Sequence, residues 1–252
     1  HAVFETPDID RQIDYFTEVV GLQLSEKQNG RAFLATKLGD LVVQLEKGSV
    51  PRCAKLAFQA APGTDIAEIK RGVEAENIAC ELRNDATPGV PKLVTFKDPK
   101  DTVIEVFADQ TPIGKNQQVR GIGPIKLGHL AFVVDDPKKY VEFYTRVLGM
   151  RLESFVGGTP PVTRQAFKFG NQKINLHVRG HEFEPKAHTP VPGALDLCFI
   201  ASLPLDQVIA RLQTLGVPIV EGPVMRTGAT QKIRSVYVRD PDLNLIEISE
   251  PA

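Results

Sequence analysis

His129-Leu130-Ala131-Phe132-Val133-Val134-Asp135-Asp136 decides the fold, because the chain has already run through the same pattern as His1-Ala2-Val3-Phe4-Glu5-Thr6-Pro7-Asp8. The parallel continues outward from there. Asp14 to Leu22 lies over Glu142 to Met150 after a one-residue slip, and Lys37-Leu38-Gly39 lies over Lys168-Phe169-Gly170. Asp98-Pro99 with Val103-Ile104-Glu105 lies over Asp240-Pro241 with Leu245-Ile246-Glu247. Four matches in one order mark an internal duplication, with halves at 1–109 and 128–252. Residues 110–127 between them carry Pro112, Gly114, Gly121, Gly123 and Pro124 and read as a linker.

Each half divides again. Strand-like runs open the quarters at Ala2 to Thr6, Lys55 to Ala60, His129 to Val134 and Leu195 to Ile200. A helical pattern follows each run. Tyr140, Phe143, Tyr144 and Val147 share one helix face, as do Leu205, Val208, Ile209 and Leu212. Ile13, Phe16 and Val20, and Ile66, Ile69 and Val73, give shorter versions. The helices stop near Gly21, Asn77, Gly149 and Gly216, residues that tolerate the left-handed conformation ending helices. Shorter strand-like runs follow, such as Gly30 to Thr36 and Leu41 to Glu46. The spacing predicts an α+β fold of four βαβββ modules.

Composition narrows the function classes. Of 252 residues, 42% are hydrophobic and 24% charged, with net charge −1, which is ordinary globular composition. Without a basic excess, nucleic acid is not an expected partner. No apolar run approaches membrane-spanning length. The three cysteines, Cys53, Cys80 and Cys198, form no Cys-x-x-Cys pair, and no signal peptide is visible, so a reduced, cytoplasmic protein is the expectation. Phosphate-loop and nucleophile-elbow motifs are absent, and Gly121-x-Gly123 runs into Pro124 rather than a helix.

Paired βαβββ units with a His on the first strand and a Glu on the last resemble the vicinal oxygen chelate superfamily. It includes glyoxalase I, fosfomycin-resistance proteins, bleomycin-binding proteins and extradiol ring-cleaving dioxygenases. Four modules in two domains resemble the dioxygenase layout. The stretch from Gly128, with Phe169 to His177 and Arg239 to Glu247, is similar to small glyoxalase-domain proteins. The resemblance implies curved mixed sheets, a small-molecule substrate, and one divalent metal ion (iron, zinc, nickel, cobalt or manganese) held by the first and last strands of paired modules. Module exchange between chains in some members makes a homodimer one expected assembly.

The second-half positions matching the ligand pattern are His129, His177, Asp196 and Glu247, all able to bind metal. Their first-half equivalents are His1, Glu46, Lys55 and Glu105. Lys55 puts a cation at a ligand position, which opposes a metal ion by Coulomb repulsion. The second half is therefore expected to hold the metal and the first to be structural or substrate-shaping. His181 and His188 form a further His-rich patch with His177, and Pro185 and Gly180 make it a loop rather than a helical zinc pair.

Three chemistries compete. A glyoxalase-like lyase or isomerase comes first, with Glu247, Tyr237 and His177 as the catalytic candidates beside the metal. Extradiol ring cleavage with ferrous iron comes second. The C-terminal signature of those enzymes fits at Tyr237, Asp240-Pro241 and Glu247, but Thr230 stands where they carry His, Leu243 where they carry Gly, and Asp196 where they carry a second His ligand. A non-catalytic binder comes third, with Phe132, Phe155, Phe167 and Tyr237 as candidate pocket aromatics and core packing as their alternative role. Lys168, Lys173 and Arg226 are candidates to meet an acidic substrate.

Overall fold

The computed structural model describes residues 1–114, 121–157, 161–182, 184–186 and 195–252. The first half runs β1 (Ala2–Thr6), α1 (Ile9–Asp14), β2 (Gln23–Gln28), β3 (Arg31–Ala35), β4 (Leu41–Lys47), β5 (Arg52–Gln59), α2 (Ile66–Ala75), β6 (Glu81–Thr87), β7 (Val90–Lys97) and β8 (Val103–Phe107). The second runs β9 (Lys126–Val134), α3 (Pro137–Glu142), β10 (Arg151–Gly157), β11 (Val162–Phe169), β12 (Gln172–Val178), β13 (Leu195–Ile200), α4 (Leu205–Thr214), β14 (Glu221–Thr227), β15 (Lys232–Arg239) and β16 (Leu245–Pro251). The βαβββ order is present four times.

Two eight-stranded mixed sheets result, ordered β2-β3-β4-β1-β5-β8-β7-β6 and β10-β11-β12-β9-β13-β16-β15-β14. Each sheet joins two modules through an antiparallel pair of first strands, β1 with β5 and β9 with β13. Each first strand also runs parallel to the last strand of its own module. The two modules of a half are thus related by a twofold relation centred on that antiparallel pair.

Alternation sorts the side chains. On β9, Leu130, Phe132 and Val134 enter the hydrophobic core, while His129 and Ala131 line a cavity on the opposite face. The same main core includes residues of both halves, with Phe58 against Phe169 at 5.4 Å and Phe16 against Phe199 at 6.5 Å between ring centres. Phe132 and Phe167 belong to this core, both around Tyr144, and not to the cavity; of the four candidate pocket aromatics only Phe155 and Tyr237 face it.

Asp8 and Asp136 cap α1 and α3 by accepting the backbone N–H groups of Arg11 and Lys138. Each helix then loosens into a π-helical stretch, Tyr15–Val20 and Phe143–Val147. Gly21 ends the first of these at φ +82°. A Cβ on Gly121 would come within 2.7 Å of the Gly21 nitrogen, so only glycine fits where the inter-half segment crosses. Ile122 is buried there, its N–H donating to the Val20 carbonyl.

The Asp-Pro turns do more than turn. Asp98 accepts N–H groups from Lys100 and Thr102 and the Tyr144 hydroxyl from the other half at 3.3 Å. Asp240 accepts N–H groups from Asp242 and Asn244 and the Gln12 amide from the first half at 3.3 Å. No helix among the described residues is long and apolar enough to cross a membrane. All three cysteines are free thiols.

Candidate metal centre

Strand register assembles the site. Cys198 on β13 lies opposite His129 on β9 and beside Glu247 on β16. Lys173 on β12 lies on the other side of His129, and Tyr237 on β15 on the other side of Glu247. Lys173, His129, Cys198, Glu247 and Tyr237 therefore form one row across five neighbouring strands. His129 and Glu247 reach toward each other over Cys198, bringing His129 Nε2 to 3.0 Å from Glu247 Oε2. The donor atoms of His129, Cys198 and Glu247 all lie within 4.8 Å of one another, and all three residues are buried.

The neighbours of Glu247 fix its orientation. The hydroxyls of Ser235 and Ser249 donate to its Oε1 at 2.6 and 3.2 Å, which leaves Oε2 toward His129. Burial works against the carboxylate, but His129 and the hydroxyls of Ser235 and Tyr237 outweigh it and hold the group down at about 2. Burial, reinforced by Glu247, pushes the Cys198 thiol and the Tyr237 phenol well above their ordinary values. Arg226 donates to the Tyr237 oxygen at 3.0 Å and to Glu221 at 2.6 Å.

Lys173, His129, Glu247 and Tyr237 of this row line a cavity of about 1160 Å³. Asp196 and His177 line the same cavity, yet neither belongs to the close cluster. Asp196 lies opposite Ala131, and His177 lies beside Val133, four residues along β9 from His129. The twofold relation explains the difference. Asp196 sits beside Leu245, two residues before Glu247; His129 sits beside Lys173, two residues before Asn175. The counterpart of Glu247 on β12 is therefore Asn175, which also lines the cavity, and His177 stands two positions further on. Burial, with the Arg164 guanidinium nearby, lowers the His177 imidazole to about 4.

Sequence reading missed Cys198 and Asn175 as members of the site, and it named Lys173 only as a candidate to meet an acidic substrate. Their place is visible once the strands are paired: Cys198 and Lys173 flank His129, and Asn175 flanks Ala131. Of the remaining candidates, His181 lies at the cavity wall and His188 lies outside the described residues. Lys168 is paired with Glu153 at 3.1 Å. Thr230 is exposed, and Leu243 holds φ +66°.

The first half is differently furnished. Lys55 and Glu46 form an ion pair at 2.9 Å, and Gln44 donates to the same Glu46 oxygen at 2.7 Å. Ala57, beside Glu105 and bonded through its backbone to His1, stands where the second half has Cys198. His1 stacks on Phe107 at 6.1 Å. Among the described residues, the only cluster of three ligand-type groups is that of His129, Cys198 and Glu247.

Comparison with known proteins agrees with the fold. Residues 126–248 match the family model of the Glyoxalase/Bleomycin resistance protein/Dioxygenase superfamily. The chain is 48% identical over 135 residues to the glyoxalase domain-containing protein RDO1 of Mycosarcoma maydis, covering 54% of this chain and 73% of that protein. The 2,3-dioxygenase LapB from Pseudomonas sp. KL28 superposes with a TM-score of 0.79 at 17% identity, over 100% of this chain and 91% of that one. The Mn(II)-bound glyoxalase from Novosphingobium aromaticivorans superposes with a TM-score of 0.79 at 21% identity, over 99% of this chain and 80% of that one. At such identities the two structures speak to fold, whereas the family match and the 48% identical relative speak to descent: the chain belongs to the glyoxalase/bleomycin resistance protein/dioxygenase superfamily, the vicinal oxygen chelate group.

Proposed function

We propose that this chain is a divalent-metal enzyme acting on a small molecule with vicinal oxygens, by glyoxalase-like lyase or isomerase chemistry. The observation that carries the reading is the meeting of His129 Nε2 and Glu247 Oε2 at 3.0 Å beside Cys198, on the floor of a cavity. Imidazole nitrogen and carboxylate oxygen fit zinc, nickel, cobalt, iron or manganese. Glu247 is held ionised, with Oε1 on the Ser235 and Ser249 hydroxyls and Oε2 turned to His129, so that both would-be ligand atoms face one point. His129 and Glu247 would hold the ion, and Asp196, lining the cavity from β13, would supply the third protein ligand. When bound, the metal polarises adjacent substrate oxygens and acidifies the neighbouring C–H.

The chain's own residues support proton movement rather than oxygen chemistry. His177 lines the cavity and, when substrate displaces the solvent there, would accept a proton from substrate carbon. Tyr237, kept protonated and oriented by Arg226, donates toward Glu247 and the substrate oxygens. Ring cleavage would draw on two histidines and one carboxylate. The close cluster contains one histidine, and Asp196 and Thr230 stand where the dioxygenase pattern has others.

Metal-loaded protein, kept anaerobic in D₂O, should incorporate deuterium beside the vicinal oxygens of 2-hydroxy ketones or hemithioacetals, and His177→Gln should lose this. Oxygen uptake with catechols and no exchange would replace this reading with ring cleavage. Tight binding with neither activity would replace it with a binding protein.

A further inference from the structure

Lys173 is the feature of the cavity that the metal reading leaves unused. It is 4% exposed and sits beside His129 on the cavity floor. An ammonium group has three donors. Among the described residues Lys173 uses one of them in a hydrogen bond, to the Thr227 carbonyl at 2.6 Å, and it makes no ion pair. Its Nζ lies 5.1 Å from the centre of the Phe155 ring, a contact that steers a cation without neutralising it. The neighbouring cations Lys168 and Arg226 are already matched by Glu153 and Glu221. Burying an ammonium without a carboxylate partner costs stability. In the first half, the register that pairs Ala2 with Val43 puts Val42 beside His1 at the corresponding place. The buried cation is thus confined to the half that carries the His129–Cys198–Glu247 cluster.

We propose that Lys173 is the substrate-anchoring residue of this site, and that it receives an anionic oxygen of a ligand chelated next to His129 and Glu247. The substrate class it selects is the small carboxylate with an oxygen on the adjacent carbon, a 2-oxo or 2-hydroxy acid. Such a compound offers vicinal oxygens to the metal and a negative oxygen to the ammonium. The ligand then supplies a carboxylate at ion-pair distance, which Lys173 lacks among the described residues. This inference rests on the metal reading above.

The test uses cobalt(II)-loaded protein and two probes of similar shape, oxalate and its neutral diamide, oxamide, followed through the visible absorption of the cobalt. Oxalate should bind at least about tenfold more weakly to Lys173→Met and Lys173→Gln than to the wild type. Lys173→Arg should recover most of the affinity, and oxamide should not distinguish the variants. One equivalent of bound cobalt in each variant shows that fold and centre persist. Equal oxalate affinities with cobalt bound would overturn the role of Lys173 alone. Failure of the wild type to take up cobalt would overturn the metal reading and this one with it.

Discussion

Ser235 donates its hydroxyl to Glu247 Oε1 at 2.6 Å, on the side of the carboxylate away from His129. One oxygen of Glu247 thus belongs to the scaffold and the other to the site. Groups of this kind orient a ligand rather than bind the metal, and their loss weakens metal affinity without abolishing it. Ser235→Ala should therefore lower affinity about 10- to 100-fold in a competition titration with a chromophoric chelator. Ser235→Thr should retain most of it. An unchanged affinity in Ser235→Ala would show that Glu247 needs no such support.

Leu243 holds φ +66° in the turn before β16. A side chain in this left-handed region costs roughly 1–2 kcal/mol. Asp101 takes the same φ in the corresponding first-half turn, and Asp tolerates it better. Leu243→Gly should raise the free energy of unfolding by about 1 kcal/mol in urea titrations. A loss of stability would mean that the half-exposed Leu243 side chain contributes more packing than its backbone costs.

Tyr144 is fully buried and spends its hydroxyl on Asp98 across the boundary between halves. Removing the hydroxyl leaves a buried carboxylate oxygen short of a donor. Tyr144→Phe should cost about 1–3 kcal/mol of stability, read from equilibrium unfolding. A change under about 0.5 kcal/mol would assign the adhesion of the halves to their apolar contacts alone.

His177 gives the fold a pH dependence of known sign. Its folded-state value lies near 4, lowered first by burial and then by Arg164. In the unfolded chain an ordinary imidazole titrates near 6.5. The unfolded state therefore takes up the proton first as pH falls. The contribution to stability is whole above about pH 7 and drains away between about 6.5 and 4, by up to about 3 kcal/mol. His177→Gln should flatten that part of the profile when unfolding free energies are compared at pH 7.5 and 4.5. Parallel profiles for the two proteins would contradict this.

The duplication made the fold legible. The opening His-containing strand, the helix face of Tyr140, Phe143 and Tyr144, and the closing Asp-Pro turn recur with loop insertions only. The candidate site was legible where the signal was a residue type at a repeated place, as for His129 and Glu247, which the fold brings together. It was less legible across strands. Nothing in the sequence says that β9 pairs with β12 so as to put Lys173, and not His177, beside His129. A strand shows its alternation but not its register. For the same reason Cys198 reads as a lone cysteine until β13 is laid between β9 and β16. The roles of Asp98 and Asp240 across the halves were hidden behind their local turn chemistry.

The His129–Cys198–Glu247 cluster predicts a definite metal content per chain. Protein purified anaerobically without added metal should carry about one equivalent of a divalent transition metal by elemental mass spectrometry. His129→Ala and Glu247→Ala should lose it, while Glu105→Gln, in the half where Lys55 and Glu46 form an ion pair, should keep it. No metal in the wild type, even after reconstitution, or metal retained in both second-half variants, would rule out a metal centre at His129 and Glu247.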